Sequence, residues 1–323
     1  MKNIAVVAGG NSSEWVISVQ SGAMVASEMT RIGYNAYVVQ IKGTQWEVLL
    51  ADEKKASIDK NDFSFVLQGQ KILFDCALIA IHGTPGEDGK LQAYFELIEL
   101  PYTTSGVLSS ALTFNKNACK IYLKDFGVKS ANAMLLNSYS AFSAKEVEEE
   151  LGMPCFVKPN ESGSSFGITK VDNPDALETA IDQALTEGTE VIIEQFIQGT
   201  EVTCGLLKTT DQTIIFPVTE IVSKTAFFDY EAKYTPGMSD EIIPARISNE
   251  LTNKVKELSS VIYDALNCKG IVRIDYIISG HDVYFLEVNT VPGMSPNSIV
   301  PKMIRETGST LADIYKLIIE DIT

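Results

Sequence analysis

Four polar residues near the end of the chain have the types needed to bind a metal ion and a phosphate. They occupy alternate positions in two short stretches: Arg273 and Asp275 in the first, Glu287 and Asn289 in the second. The segment 279–282 between them is typical of a turn. Alternate residues of a strand share a face, so the spacing predicts a hairpin that presents all four side chains together. Carboxylate and amide oxygens suit Mg²⁺, and a guanidinium suits a phosphate. Alternating polar residues are also typical of a solvent-facing strand, and the hairpin taken alone slightly favours that interpretation.

The same hairpin carries a prediction about its core and its turn. The residues expected on the opposite, buried face are Ile274, Tyr276, Tyr284, Leu286 and Val288. A two-residue turn would place Asp275 and Glu287 on opposite faces. We therefore expect a connection with an odd number of residues.

Composition limits the classes of protein to consider. The chain has 323 residues, of which 45% are hydrophobic and 21% charged, as in a globular protein of one large domain or two to three smaller ones. A formal net charge of −16 argues against nucleic acid or an anionic membrane as a partner. The five cysteines lack metal-ligand spacing, and no apolar stretch approaches a bilayer span. These features predict a cytoplasmic protein with reduced thiols.

The first third of the chain alternates apolar runs with helical stretches. Apolar strands are predicted at 3–8, 36–41 and 77–81, and helices at 16–32 and 89–99. This alternation predicts a parallel α/β sheet, whose ligands gather beyond the carboxyl ends of the strands. The residues at those ends are Gly9, Gly10, Glu14, His82 and Glu87.

The pattern changes near residue 115 and again near residue 200, which predicts domains at 1–115, 116–200 and 201–323. The helices predicted beyond the first change lie at 115–126, from Pro174 onward, at 248–266 and at 309–320. The strands predicted there lie near 133–137, 155–158, 168–171 and 190–196, and strands dominate after residue 201.

A glycine- and serine-rich loop runs from Lys158 to Gly167 between two predicted strands. Small residues let backbone amides approach an anion, and the lysine adds charge, so the loop favours phosphate binding over a plain hairpin turn. The loop is not a Walker A motif, because no glycine is followed by Lys-Ser or Lys-Thr.

Two other segments are weaker indications. Glu194 to Ile197 ends a strand and is more typical of an ordinary strand with polar ends than of a nucleotide-base site. Residues 223–238 fit neither a helix nor a strand and contain four aromatic residues, which favours a lid or binding loop over a plain surface excursion.

Taken in order, these residues resemble the D-alanine–D-alanine ligase family of the ATP-grasp superfamily over essentially the whole chain. The matching segments are 8–14 with Ser18, 82–89, 101–103, Lys116, 158–167, 230–234, 273–275 and 287–294. The resemblance implies a three-domain ATP-grasp architecture of the α/β class with an N-terminal parallel α/β domain.

The resemblance also implies an ATP site between the second and third domains. Lys116 and Lys158 would contact the phosphates under the loop that contains Ser164 and Ser165, with Lys233 nearby. The adenine and ribose contacts implied are Glu194, Gln195, Phe196, Ile197 and Glu201. Two Mg²⁺ ions, with Mn²⁺ as a substitute, would be held by Asp275, Glu287 and Asn289.

The implied substrate site accommodates two D-alanine molecules. Glu14 would receive the first ammonium group and would be linked to Ser164 and Tyr234. Arg273 and the amide of Gly293 would stabilise the tetrahedral intermediate. The other implied substrate contacts are His82, Lys233, Ser298 and Ile299.

The implied activity joins two D-alanine molecules through an acylphosphate, consumes ATP, and supplies peptidoglycan synthesis from a cytoplasmic homodimer. Related ligases use D-lactate or D-serine as the second substrate; Tyr234 favours D-alanine, and Phe228 keeps D-serine open. Another ATP-grasp carboxylate–amine ligase remains an alternative. A nucleotide-binding regulator without activity is a further alternative. The presence of Arg273, Asp275, Glu287 and Asn289 argues against it.

Overall fold

The computed structural model describes residues 1–137, 142–163, 166–223 and 239–323. Several predictions concern positions outside these ranges. They are the roles of Ser164, Ser165, Lys233 and Tyr234, the change at Phe228, and the lid proposed for 223–238 apart from Ser223.

Nine α-helices lie within the described residues. They are α1 (Trp15–Arg31), α2 (Lys90–Leu97), α3 (Val107–Phe114), α4 (Lys116–Lys124), α5 (Ala144–Leu151), α6 (Leu177–Leu185), α7 (Asn249–Ala265), α8 (Ile299–Glu306) and α9 (Leu311–Ile322). Short 3₁₀ helices occur at Ala51–Glu53 and Pro174–Ala176. The second of these begins the predicted helix at Pro174, and the Asn173 side chain caps it. No helix of the described chain combines the length and apolar character needed to cross a bilayer.

The N-terminal sheet has the strand order β4-β3-β2-β1-β7. Its strands are β1 (Asn3–Gly9), β2 (Asn35–Lys42), β3 (Gln45–Leu49), β4 (Lys55–Ser57) and β7 (Cys76–Ile79), and a separate hairpin holds β5 (Phe65–Leu67) and β6 (Gln70–Ile72). The strand β1 is parallel to β2 and β7, which confirms the predicted parallel core. The antiparallel edge strands β3 and β4 were not predicted.

Two further sheets are antiparallel. The central sheet has the order β10-β9-β11-β8, with strands β8 (Ala133–Asn137), β9 (Cys155–Pro159), β10 (Thr169–Val171) and β11 (Glu190–Gln195). The C-terminal sheet has the order β15-β14-β12-β16-β17, with β13 paired to β12. Its strands are β12 (Thr200–Lys208), β13 (Thr213–Ile215), β14 (Thr219–Ser223), β15 (Ser239–Ile242), β16 (Gly270–Ser279) and β17 (Asp282–Asn289).

Four apolar clusters hold these layers together. One face of the central sheet packs against α5 and α6. The C-terminal sheet packs against α7, and Cys119 and Leu123 of α4 belong to the same cluster. One face of the N-terminal sheet packs with α1 against α8 and α9, and the other face packs against α2. All five cysteines are buried and unpaired, as expected for reduced thiols.

The structure corrects the predicted turn of the C-terminal hairpin. Ser279 pairs with Asp282, so the connection between β16 and β17 has two residues. Asp275 nevertheless faces Glu287, because the register shifts by one residue between Asp275 and Tyr276. The extra residue is therefore a β-bulge inside β17 at Leu286 and does not lie in the turn.

The bulge also changes which hairpin residues are buried. Ile274, Tyr276 and Val288 are in the core, as predicted. Tyr284 and Leu286 are only half-buried, whereas Val283 and Phe285 are buried instead. The predicted faces were therefore wrong for the residues between the turn and the bulge. Strict alternation from Glu287 back toward the turn does not allow for the extra residue at Leu286.

Candidate active site

The four hairpin residues lie together on one face of the C-terminal sheet. Asp275 is opposite Glu287 in the register, and Arg273 is opposite Asn289. Arg273 donates two hydrogen bonds to Asp275, from Nε to Oδ1 at 2.9 Å and from Nη2 to Oδ2 at 2.8 Å. Thr203 on β12 donates to Oδ1 at 2.5 Å, and Asn289 donates to Oδ2 at 3.0 Å. The Asp275 carboxylate is thus fixed in position, and its charge is balanced by a bidentate guanidinium.

The first turn of α4 connects this hairpin to the glycine-rich loop. Asn115 caps the helix, because its side chain accepts a hydrogen bond from the Ala118 N–H. Lys116 Nζ donates to the Ser162 carbonyl at 2.6 Å and lies 3.5 Å from Glu287 Oε2. A small cleft beside the loop is lined by Lys116, Lys158 and Glu287, so the phosphate-binding and metal-binding residue types predicted separately share one opening.

A buried ion-pair cluster lies behind this cleft. The Glu194 carboxylate accepts a hydrogen bond from Lys158 Nζ at 2.5 Å and another from Lys120 Nζ. Burial by itself raises the pKa of Glu194, but the charges and hydrogen bonds of Lys120 and Lys158 outweigh it and lower that pKa to about 2. The carboxylate is therefore ionised at neutral pH.

The lysines outnumber the carboxylates around them. Lys116, Lys120 and Lys158 are all buried, and their partners are Glu194 and the partly exposed Glu287. A local excess of buried positive charge in a chain of net charge −16 is unusual and suits an anion with several charges. The donor set therefore fits the phosphates of a nucleotide.

The residues implied for adenine and ribose follow one another along the chain as it leaves β11 and enters β12. Gln195, Phe196, Ile197 and Glu201 are half-buried. The backbone N–H of Gln195 donates to the Asn132 carbonyl at 2.9 Å, so this group is already used within the protein. The Phe196 ring packs against Phe156 at 5.9 Å between ring centroids, beneath the ammonium group of Lys170.

A cavity of about 240 Å³ adjoins the hairpin. Its lining contains every implied substrate contact that falls within the described residues: Glu14, His82, Arg273, Gly293, Ser298 and Ile299. Asn289 of the implied metal set also lines it, as do Glu87 and Glu241, to which no role was assigned from the sequence. A larger cavity of about 600 Å³ lies between α2 and α9, and its described lining includes none of the predicted site residues.

Glu14 is held against the glycine-rich loop at one end of the cavity. It lies at the N-terminus of α1 and its side chain is buried. A Cβ atom added to Gly163 would lie 2.3 Å from Glu14 Oε2, which is closer than two such atoms can approach. A side chain at position 163 would therefore force the Glu14 carboxylate to move away from the loop.

Hydrogen bonds that involve His82 and its partner Ser21 hold the segment that carries Gly293. Its Nδ1 lies 2.9 Å from the Val291 carbonyl, which can only accept, so Nδ1 carries the proton. Nε2 then accepts from the Ser21 hydroxyl at 3.3 Å, and Ser21 accepts from the Met294 N–H at 3.3 Å. Burial lowers the pKa of His82, which agrees with a neutral ring. His82 therefore reaches the cavity and also fixes the backbone on both sides of Gly293.

Sequence reasoning missed three contributors to this site. Lys120 carried a weak signal, because it lies four residues after Lys116 and thus on the same helix face. Ser21 and Thr203 carried none, since a serine in a helix and a threonine in a strand are common and their partners are distant in sequence. Each of these roles depends on tertiary contacts.

The Glu87 carboxyl generates a prediction about pH. Desolvation and the nearby charge of Glu14 raise the pKa of Glu87 to about 8, although the Gly83 N–H donates to it at 2.7 Å. The pKa of a glutamate in the unfolded chain is about 4.3. Between about pH 4.3 and the folded pKa, the folded protein therefore keeps a proton on Glu87 that the unfolded chain loses. The free energy of unfolding thus falls as pH rises, by at most about 1.4 kcal/mol per pH unit. We expect Glu87→Gln to flatten this slope in denaturant titrations of the ligand-free protein between about pH 5 and 8. Glu257→Gln, on the exposed side of α7, is the control; parallel slopes for wild type and Glu87→Gln would contradict the prediction.

Comparisons with known proteins identify the family of this chain. The family model described as D-ala D-ala ligase N-terminus matches residues 3–105, and the model described as D-ala D-ala ligase C-terminus matches residues 122–320. A D-alanine–D-alanine ligase from Bacteroides fragilis is 49% identical over 321 residues, which cover 99% of each chain.

Two solved structures share the whole fold. The VanG D-Ala:D-Ser ligase from Enterococcus faecalis has a TM-score of 0.88 and 32% identity, with 100% of this chain and 99% of that chain covered. The D-alanine–D-alanine ligase from Bacillus anthracis complexed with ATP has a TM-score of 0.79 and 27% identity, with 99% and 97% covered. From the family models and the full-length similarity we conclude that the chain belongs to the D-alanine–D-alanine ligase family.

Proposed function

We propose that this chain joins two D-alanine molecules into D-alanyl-D-alanine for peptidoglycan precursor synthesis, converting ATP to ADP and phosphate. One observation carries the proposal beyond family membership. The cavity that holds Glu14, Arg273 and Gly293 opens beside the cleft that holds Lys116, Lys158 and Glu287. An ammonium-binding carboxylate, groups for a developing oxyanion and groups for a polyphosphate therefore converge where an acyl group and a phosphoryl group could meet.

The lysine cluster and the hairpin would bind the nucleotide. Lys116 and Lys158 contact the phosphates, Glu194 to Ile197 contact adenine, and Glu201 contacts ribose. Asp275, Glu287 and Asn289 would hold two Mg²⁺ ions, for which Mn²⁺ could substitute, and these ions supply neutralisation of the phosphate charge. The hairpin fits such ions because its two carboxylates and one amide share a face and two of the three are fixed by hydrogen bonds.

The reaction needs no nucleophile from the protein. The carboxylate of the first D-alanine attacks the γ-phosphorus of ATP, and ADP leaves, which produces an acylphosphate. The free amine of the second D-alanine attacks the acyl carbon, the amine proton is lost, and phosphate leaves. Glu14 holds the first ammonium group, while Arg273 and the Gly293 N–H stabilise the oxyanion.

Ser298 and Ile299 at the start of α8 position the second D-alanine. The His82 contacts keep the Gly293 segment in place during the reaction. Catalysis is therefore mainly positioning and charge stabilisation by groups that are already fixed in the folded protein.

Three finer properties belong to the same proposal. The chain would act as a homodimer in the cytoplasm. Its domains would span 1–115, 116–200 and 201–323. These assignments follow from the sequence resemblance. The three main sheets support the division into domains, although α4 of the second range packs with the C-terminal core.

A panel of acceptors tests the proposed activity. We expect phosphate release from ATP with D-alanine alone. When L-alanine, D-serine or D-lactate is added together with D-alanine, we expect D-alanyl-D-alanine to remain the main product. D-alanine is favoured because the relative that shares 49% identity has that name, whereas the D-Ala:D-Ser ligase shares 32%. Faster product formation with D-serine would reassign the second substrate, and no release with any acceptor would favour a nucleotide-binding regulator.

Removing a hairpin carboxylate should abolish turnover in a folded protein. Asp275→Asn or Glu287→Gln is expected to lower kcat by at least about a hundredfold. Each change removes a ligand of the metal ions that would neutralise the phosphate charge. Circular dichroism and a Mn²⁺ titration would report folding and metal affinity. Asp282→Asn on the same hairpin is the control, since Asp282 is exposed and pairs with Lys129. Near-normal turnover in the first two variants would refute the metal assignment.

The close contact between Gly163 and Glu14 gives a further prediction. Gly163→Ala should displace the Glu14 carboxylate and raise the KM for D-alanine by about tenfold or more, because the added Cβ has no room. Gly188→Ala is the matched control, since its Cβ would meet its nearest neighbour at 3.7 Å, an ordinary contact. Equal KM values for the two variants would show that Glu14 does not depend on this contact.

A further inference from the structure

Lys120 is a buried charged residue to which neither the sequence nor the proposed mechanism assigns a role. It lies on α4 one turn after Lys116. The apolar side of α4 packs through Cys119 and Leu123 into the core of the C-terminal sheet. Lys120 points the other way and reaches Glu194 on β11 of the central sheet. The ion pair therefore joins a helix of the C-terminal core to the central sheet.

Glu194 is shared between two lysines. Lys120 bonds to Oε1 and Lys158 bonds to Oε2, the latter at 2.5 Å. The exposed fractions of the three side chains are 5% for Lys120, 5% for Glu194 and 9% for Lys158, so water screens these charges little. Lys158 also lines the cleft and is the residue proposed to bind a nucleotide phosphate, so its ammonium group would be shared between the carboxylate and that phosphate.

The cost of that sharing depends on which other cation is beside Glu194. If Lys158 were the sole partner, any displacement of its ammonium group toward the phosphate would weaken the only counter-ion of a buried carboxylate, which is strongly unfavourable. With Lys120 in place, the carboxylate keeps one ammonium partner throughout. We propose that Lys120 is a positioning residue that keeps Glu194 neutralised, so that Lys158 is free to bind the nucleotide phosphate. The inference rests on the proposed function, because it takes Lys158 as a phosphate contact.

A purely structural role for Lys120 leads to a different expectation. An ion pair that served only to join α4 to the central sheet would, when removed, disturb the base-binding and phosphate-binding parts of the site together. The role proposed here affects phosphate binding selectively. Adenosine has no phosphate for Lys158 to bind, whereas ADP has two, so the ratio of the two affinities separates the alternatives.

The test measures dissociation constants for ADP and adenosine by calorimetry in the full-length protein. Lys120→Met should weaken ADP binding by about tenfold or more, with adenosine affinity changed by less than about threefold. Lys208→Met is the matched control, because it removes a partly buried lysine that pairs with Asp264 far from the cluster, and it should leave both constants unchanged. Equal weakening of both ligands, or unchanged ADP binding, would overturn the inference.

Two more variants settle the question even if Lys120→Met does not fold. Lys120→Arg keeps the charge and should keep the wild-type ratio of ADP to adenosine affinity. The double variant Lys120→Met with Glu194→Gln removes the carboxylate charge that would otherwise retain Lys158, so the ratio should return to within about threefold of wild type. A ratio of ADP affinity to adenosine affinity well below the wild-type ratio, in either variant, would overturn the inference.

The outcomes also separate this inference from the proposed function. Wild-type protein that binds ADP but releases no phosphate with D-alanine would refute the ligase activity and leave the role of Lys120 standing. Normal ligase activity with a wild-type affinity ratio in Lys120→Met would refute the role of Lys120 alone.

Discussion

Three lysine ammonium groups are buried in the middle of this molecule, and the arrangement of the site depends on how their charge is balanced. Buried charges are tolerated only with partners at hydrogen-bond distance. Lys116 and Lys120 come from α4 and Lys158 from β9, while their partners Glu194 and Glu287 come from β11 and β17. The need to pair these charges ties the central sheet, the C-terminal sheet and α4 together at one place.

The apolar cores put these elements within reach of one another. The apolar face of α4 is buried in the C-terminal core, so Lys116 and Lys120 face the central sheet and its loop. The N-terminal sheet and α1 share a core with α8 and α9, and this packing brings Glu14 and His82 to the segment that carries Gly293 and Ser298. The substrate cavity is thus a consequence of how the N-terminal and C-terminal cores merge, and the nucleotide cleft is a consequence of how α4 docks.

Local pattern was sufficient to predict much of this arrangement. The alternation of Arg273 and Asp275, and of Glu287 and Asn289, indicated a shared face, and the glycine-rich loop was recognisable by composition. The bulge at Leu286 was missed because one extra residue in a strand leaves no mark in composition. Helices α3, α5 and α8 and the edge strands β3 and β4 were also missed, since they are short and their stability comes from packing. Lys120 was missed because a lysine on a helix is normally exposed, and only the docking of α4 buries it.

The site also shows how a protein can hold several charges before its ligands arrive. Three carboxylates are each matched with a cation: Asp275 with Arg273, Glu287 with Lys116, and Glu194 with Lys158. In the proposed function, each of these cations also binds an anionic group of a substrate or intermediate. Two of the carboxylates, Asp275 and Glu287, also bind a metal ion. Ligand binding then exchanges internal ion pairs for ion pairs with the ligand, and the desolvation of the charged groups has already occurred during folding. Glu194 differs from the other two because no metal ion is proposed to replace its cation, and it is also the carboxylate with a second lysine.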